Sequence, residues 1–374
     1  MNRPAPAPGG PVAPGAPGPD AAAFAALLCD WCLEPEPGQQ VLVSSTSLAE
    51  PLLRALHRAL LERGAWPLLR MAPPGLSGDF YRHAGPAQIE GFASADLAEV
   101  QAVDDVLSID APANTAELSD IDPALIARAA AARMPVREAR LSKRWCGTLW
   151  PTPALAQAAG MADARYAAFV TRALFLDRPD PVAAWRELSA RQAVLVERLG
   201  AAGEIRIEAD GTDITLGVQG RTWINSDGRR NMPSGEVFTG PHERSANGTI
   251  RFTVPTGPRG VTVTGVQLTF RDGEVVKSGA ERGAEYLEAA LATDAGARIL
   301  GELGIGTNAG IDRATSHILL DEKMAGTVHL ALGRSYPETG GTNVSALHWD
   351  LICDLRSGGR LTADGEELPW GQFL

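Results

Sequence analysis

Cysteine is scarce in this chain: the four, at positions 29, 32, 146 and 353, are too few to staple a fold of 374 residues, so reduced thiols are expected. Cys29 and Cys32 have CxxC spacing but close an Ala/Leu-rich helical pattern, and no second pair follows. They read as packing residues and not as a redox or zinc motif. Basic charge is also short, with 34 Lys and Arg against 45 Asp and Glu and a net charge of -11. Phosphate binding needs a basic surface that releases counterions, so no nucleic-acid partner is expected. No window approaches the roughly eighteen uninterrupted apolar residues of a membrane span, and the N-terminus lacks the apolar core of a signal peptide. No membrane partner is therefore expected, and the cytoplasm is the expected compartment. A glycine-rich nucleotide fingerprint is absent as well, since SSTSLAEP follows the first strand pattern.

What is present is an ordinary globular balance, 45% hydrophobic and 21% charged, in three stretches of different texture. Residues 1–20 are almost all Pro, Ala and Gly, which cannot bury apolar surface, and read as a disordered tail. From Ala21 to about 185 strand and helix patterns alternate. The apolar run Gln40–Ser44 is followed by an amphipathic helix over Leu48–Arg63, with Leu52, Leu53, Leu56, Leu60 and Leu61 on one face and Gly64 as its stop. A strand over Trp66–Met71, a strand over Asp105–Ile109, a helix over Pro123–Arg133 and two more Ala-rich helices ending near Leu176 complete an open parallel α/β domain. Asp180 caps a helix that opens on Pro181 and runs to about Leu199. Residues 186–374 then read as a β-rich α+β domain of short alternating segments, with Asp272-Gly273 as a tight hairpin and helices over Gly279–Ala292 and Asp294–Leu303.

The candidate chemistry lies in that second half. Val328, Leu330 and Leu332 alternate with Thr327, His329 and Ala331, the pattern of a strand, and Val344–Cys353 reads as another. In the latter His348 and Asp350 are two apart and share a face, where imidazole and carboxylate suit zinc, cobalt or manganese. His-x-Asp on its own is common, and a strand histidine is often just hydrogen-bonded. Two further acids stand in unusual places. Glu236 follows a Pro/Gly loop and enters an apolar segment, either as a loop acid pairing with Arg229 or Arg230 or as something that needs another partner. Glu302 falls at the expected C-terminus of a helix, where a carboxylate opposes the dipole and calls for a cation. The GxGxxxG run from Gly304 to Gly310 mimics a phosphate loop, but it is read as following a helix, which argues against phosphate. Together Glu236, Glu302, His329, His348 and Asp350 offer the number and kind of ligands that two divalent ions bridged by a carboxylate require. Among the other histidines, only His242 is placed near the cleft.

NMPSGEVFT, GELGIGTN, DEKMAGTVHLALGRSY and SALHWDL, in this order, resemble the M29 family of metallo-aminopeptidases, weakly in the α/β half and strongly from Arg221 to Leu351. The resemblance implies two metal ions held by Glu236, Glu302, His329, His348 and Asp350, with Glu302 doubling as proton carrier and Tyr336 assisting catalysis. It also implies peptides with a free N-terminus as substrates and a homodimer. The Pro-rich tail and the compact link between His329 and His348 depart from the family pattern. Rival readings are a two-metal hydrolase for another amide or an ester, and a metal-binding protein without catalysis. The cheapest sign of the latter is a missing ligand, and none is missing.

Overall fold

The computed structural model describes residues 18–257 and 261–368, so residues 1–17 of the Pro/Ala/Gly-rich tail lie outside the described part. Asp20 caps the first helix, Ala21–Leu27, by accepting from the backbone of Ala22 and Ala23. Two compact units follow. One holds the described residues up to Trp185 together with Gly228–Pro233, and the other holds Arg186–Asp227 and the chain from Ser234 onward.

In the first unit β1 (Gln40–Thr46), β2 (Trp66–Ala72), β3 (Asp105–Asp110) and β4 (Arg144–Leu149) form a parallel sheet in the order β2-β1-β3-β4, and the two-residue strand Asn231–Met232 extends it beside β4. The helix Glu50–Glu62 buries Leu52, Leu53, Leu56 and Leu60 as its spacing predicts, while Leu61, expected on the same face, is exposed. The helices Leu76–His83 and Ser94–Ala102 escape the sequence reading, as do two strands of this sheet. Arg144–Leu149 forms β4 between the Ala-rich helices, and Gly228–Pro233 returns to this sheet from within the β-rich half. Both are short and carry charged residues at one end, which masks the apolar signature of a buried parallel strand.

The second unit contains two antiparallel sheets. With β8 kept for the Asn231–Met232 strand of the first unit, its strands are β5 (Glu204–Ala209), β6 (Thr212–Gly217), β7 (Ile224–Ser226), β9 (Glu236–Thr239), β10 (Asn247–Arg251), β11 (Gln267–Arg271), β12 (Glu274–Gly279), β13 (Leu300–Gly306), β14 (Thr327–Gly333), β15 (His348–Asp354), β16 (Arg360–Ala363) and β17 (Glu366–Glu367). One sheet runs β12-β11-β10-β6-β5-β16-β17 and the other β15-β14-β13-β9-β7. The β11–β12 hairpin turns on Asp272 and Gly273, both at positive φ, as its Asp-Gly signal predicts. Ile207, Ile214 and Leu268 from the larger sheet share one core with Val237, Leu303, Ile305, Val328, Leu330 and Leu351 from the smaller. The helix expected over Asp294–Leu303 is a correction: a short 3-10 turn, Ala295–Arg298, gives way to β13, so Glu302 is a strand residue. Glycines at 301, 304 and 306 hide this strand from propensity, because its backbone is crowded and side chains there would not fit.

Candidate metal centre

The five-stranded sheet turns one face to the core and gathers polar residues on the other. In β9, β14 and β15 the core face takes Val237, then Val328, Leu330 and Leu332, then Trp349, Leu351 and Cys353. Strict alternation therefore sends Glu236, His329, His348 and Asp350 to the opposite face. In β13 a register irregularity between Leu300 and Glu302 adds one residue, so Leu300 and Leu303 both reach the core while Glu302 joins the polar face. Each of the five stands in register with a glycine or alanine: Glu236 with Gly306, Glu302 and Asp350 with Ala331, His329 with Gly304, His348 with Gly333. At Gly306 and Gly333 an added Cβ would meet the Met324 and Leu347 carbonyls, and at Gly304 it would meet a ligand itself, lying 2.0 Å from His329 Nε2.

Glu302 is the hub. Its Oε1 lies 3.3 Å from His329 Nε2 and its Oε2 lies 3.5 Å from His348 Nε2. Glu236 Oε2 is 3.4 Å from His329 Nε2, and Asp350 Oδ2 is 3.7 Å from His348 Nε2. Two groups result, Glu236–Glu302–His329 and Glu302–His348–Asp350, each with donor atoms within 4.8 Å of one another. The His348 Nδ1 donates to the Arg334 carbonyl at 2.9 Å. A carbonyl only accepts, so the neutral ring carries its proton on Nδ1 and turns the Nε2 lone pair toward the acids, the tautomer a ligand needs.

The electrostatics call for positive charge. Burial pushes the Glu236 carboxyl up to about 7 against the pull of Lys323, and it pushes Asp350 to about 6, reinforced by the charge of Glu322. Burial opposes charging of His329, yet Glu302, Glu236 and Asp350 around it raise it to about 10. Glu236 Oε2 and His329 Nδ1 are buried without hydrogen-bond partners. Polar atoms buried unpaired are costly, and on Glu236 a cation at Oε2 would remove that cost. The donor set, carboxylates and imidazoles, fits zinc, cobalt or manganese.

Tyr336 stands beside this cluster, its ring 5.2 Å from that of His348 and 5.7 Å from that of Phe238. Burial, then the charges of Glu302 and Asp350, drive its ionisation far upward, so its hydroxyl remains a donor. Glu236 does not pair with Arg229 or Arg230: the former meets Glu34, the latter the Lys143 carbonyl. Its partner is Lys323, fully buried, with Nζ 3.3 Å from Oε1 and also in contact with Glu322. Sequence reading missed Glu322 and Lys323, because adjacent opposite charges look like a solvated face. It also missed Asn308, whose Nδ2 donates to the Ser234 carbonyl, and Gln192, whose Nε2 donates to the Glu236 carbonyl. His242 is exposed and donates to the Gln219 carbonyl, outside both ligand groups.

Residues 19–369 match the family described as Thermophilic metalloprotease (M29). The chain is 34% identical to Aminopeptidase 2 of Geobacillus stearothermophilus over 386 aligned residues, 89% of this chain and 92% of the relative. It is 36% identical to Aminopeptidase T of Thermus aquaticus over 186 residues, 45% of each chain. Its fold is similar to that of wild-type AmpT from Thermus thermophilus, with a TM-score of 0.80 at 23% identity, covering 94% of this chain and 97% of that one. Among the described residues no helix is long and apolar enough to cross a membrane.

Proposed function

The chain belongs to the thermophilic metalloprotease family M29 and is a metal-dependent aminopeptidase, and on that premise we propose that Glu236, Glu302 and His329 hold one divalent ion and Glu302, His348 and Asp350 a second. The observation that carries this reading is the division of Glu302, one carboxylate oxygen toward each histidine. Zinc, cobalt or manganese suits the ligands, and such ions, when bound, polarise a carbonyl and acidify water. The remaining work falls to the chain. Glu302 accepts the proton of the attacking water on a carboxylate oxygen and returns it to the leaving amine. Tyr336, held protonated, donates its hydroxyl proton in a hydrogen bond to the developing oxyanion. The acids of the cluster supply the contact that a free α-amino group needs, so a blocked N-terminus leaves polar groups unpaired. Residues 186–374 form the catalytic domain in this reading, residues 21–185 the α/β domain, and the active species is a cytoplasmic homodimer. Metal analysis of the purified protein, run beside turnover of amino-acid anilides and of free and N-acetylated peptides, tests the proposal. Two ions per chain and release of single residues from unblocked peptides are expected. Active protein without metal, or efficient internal cleavage of a blocked peptide, would overturn it.

A further inference from the structure

Lys323 is the one lysine among the described residues with no exposed surface, and its position is fixed from two directions. Its carbonyl accepts the backbone N–H of Asn308, whose side chain in turn holds the Ser234 carbonyl two residues before Glu236. Its ammonium meets Glu236 Oε1 at 3.3 Å and also contacts Glu322. Burying an ammonium is expensive even when it is paired, and apolar side chains of the same volume commonly do as well for stability. What the lysine does to Glu236 is asymmetric. It occupies Oε1, whereas Oε2 has no hydrogen-bond partner and faces His329.

We propose that Lys323 is a positioning residue for the Glu236–His329 half of the metal centre, pinning one oxygen of Glu236 so that the carboxylate ligates through the other alone. The assignment rests on the two-ion reading above. Without the lysine the carboxylate is free to rotate and to present both oxygens, which loosens one half of the centre and leaves the His348–Asp350 half intact.

Cobalt titration of the full-length metal-free protein tests this, with Lys323→Met, Lys323→Arg and the double variant Lys323→Met/Glu322→Gln, which removes the second acid that the lysine pairs in case the single change fails to fold. The expected result is one cobalt affinity weakened by about tenfold or more, as for other groups that orient a ligand, with the second within twofold of the parent. The visible cobalt spectrum should change because the coordination number of one ion rises, and Lys323→Arg should restore part of the affinity. Both ions bound with parental affinity and spectrum in a folded variant would overturn the proposal, as would failure of both the single and the double variant to fold, which would make the lysine structural. The two-ion reading is judged separately, on the parent protein: fewer than two cobalt ions there defeats it, and no binding at all defeats both.

Discussion

The central strands of the parallel sheet bury Val41, Val43, Val106 and Leu107 and one carboxylate, Asp105, whereas the sheet around β13 buries Glu236, Glu302, His329 and Lys323 within a few ångströms of one another. Burial acts on both sites in the same direction, raising Asp105 to about 6 and Glu236 to about 7. Among the described residues the lone acid has Arg144 as its one ion-pair partner, 3.9 Å away, and its Oδ2 makes no hydrogen bond. The cluster has imidazoles, a lysine and, opposite His329, a glycine whose missing side chain makes room for the ring. An isolated buried charge is a cost that a fold tolerates, while a set of acids and imidazoles converging on one sheet face is the arrangement expected of a place built to hold cations. That contrast supports the proposal that the metal centre lies in the second unit, and it does so without reference to any relative.

The contrast is tested hardest at the hub. Glu302→Gln keeps the shape of the side chain but removes the charge that serves both halves and the site of proton transfer. Turnover should fall by roughly 10⁴-fold, the upper range for a positioned acid–base group, with both metal affinities weakened and the circular dichroism unchanged. Substantial activity in this variant would place the proton carrier elsewhere. Next in size comes Gly304→Ala. Its Cβ would overlap His329 Nε2, displacing the imidazole by more than the roughly 1 Å that elsewhere costs 10²-fold. Gly147→Ala in β4 is the matched control, since the nearest atom to its Cβ is Asn231 Oδ1 at an ordinary 3.4 Å. Metal content and kcat should collapse in the first variant and hold in the second; equal behaviour would remove the argument from opposed glycines.

Tyr336→Phe should cost less than either site change, roughly 10²-fold in kcat, the loss of one oxyanion donor. KM should move little. An unchanged kcat would leave Tyr336 as a packing partner of Phe238 and His348.

How much of this was legible beforehand follows the same division. Period-two alternation was enough for His329 in β14 and for His348 and Asp350 on one face of β15, because those strands carry apolar residues at every second place. Leucine spacing was enough for the helix after β1. Glu302 reads as a helix end because a run with three glycines has neither strand propensity nor alternation, and the reason for the glycines, the imidazole and the carbonyls pressed against them, exists only once the strands are paired. Lys323 escaped for a related reason: nothing local distinguishes a buried ion pair from a solvated one. Glu236 and Glu302 stand out in the sequence only as acids in unusual places, and the geometry that gathers them beside His329 lies in the paired strands.

The smallest effect is expected on the other side of the comparison. Asp105 has a folded pKa of about 6, above the roughly 3.9 of an unfolded aspartate. Between those values the folded chain keeps a proton that the unfolded chain releases, so the contribution of this group to stability falls as pH rises from about 4 to about 6 and stays low above that. Asp105→Asn removes the charge and with it the penalty, while giving up the long contact to Arg144, which is itself largely exposed. At pH 8 the variant should therefore be more stable than the parent by on the order of 1 kcal/mol, and near pH 4 the advantage should vanish. Denaturant unfolding at the two pH values measures it, with metal content and turnover expected to stay at parental levels because the change lies in the α/β unit. A variant destabilised equally at both pH values would show that the Asp105 carboxylate is held by interactions worth more than its burial costs, and the lone acid would then be no foil for the cluster.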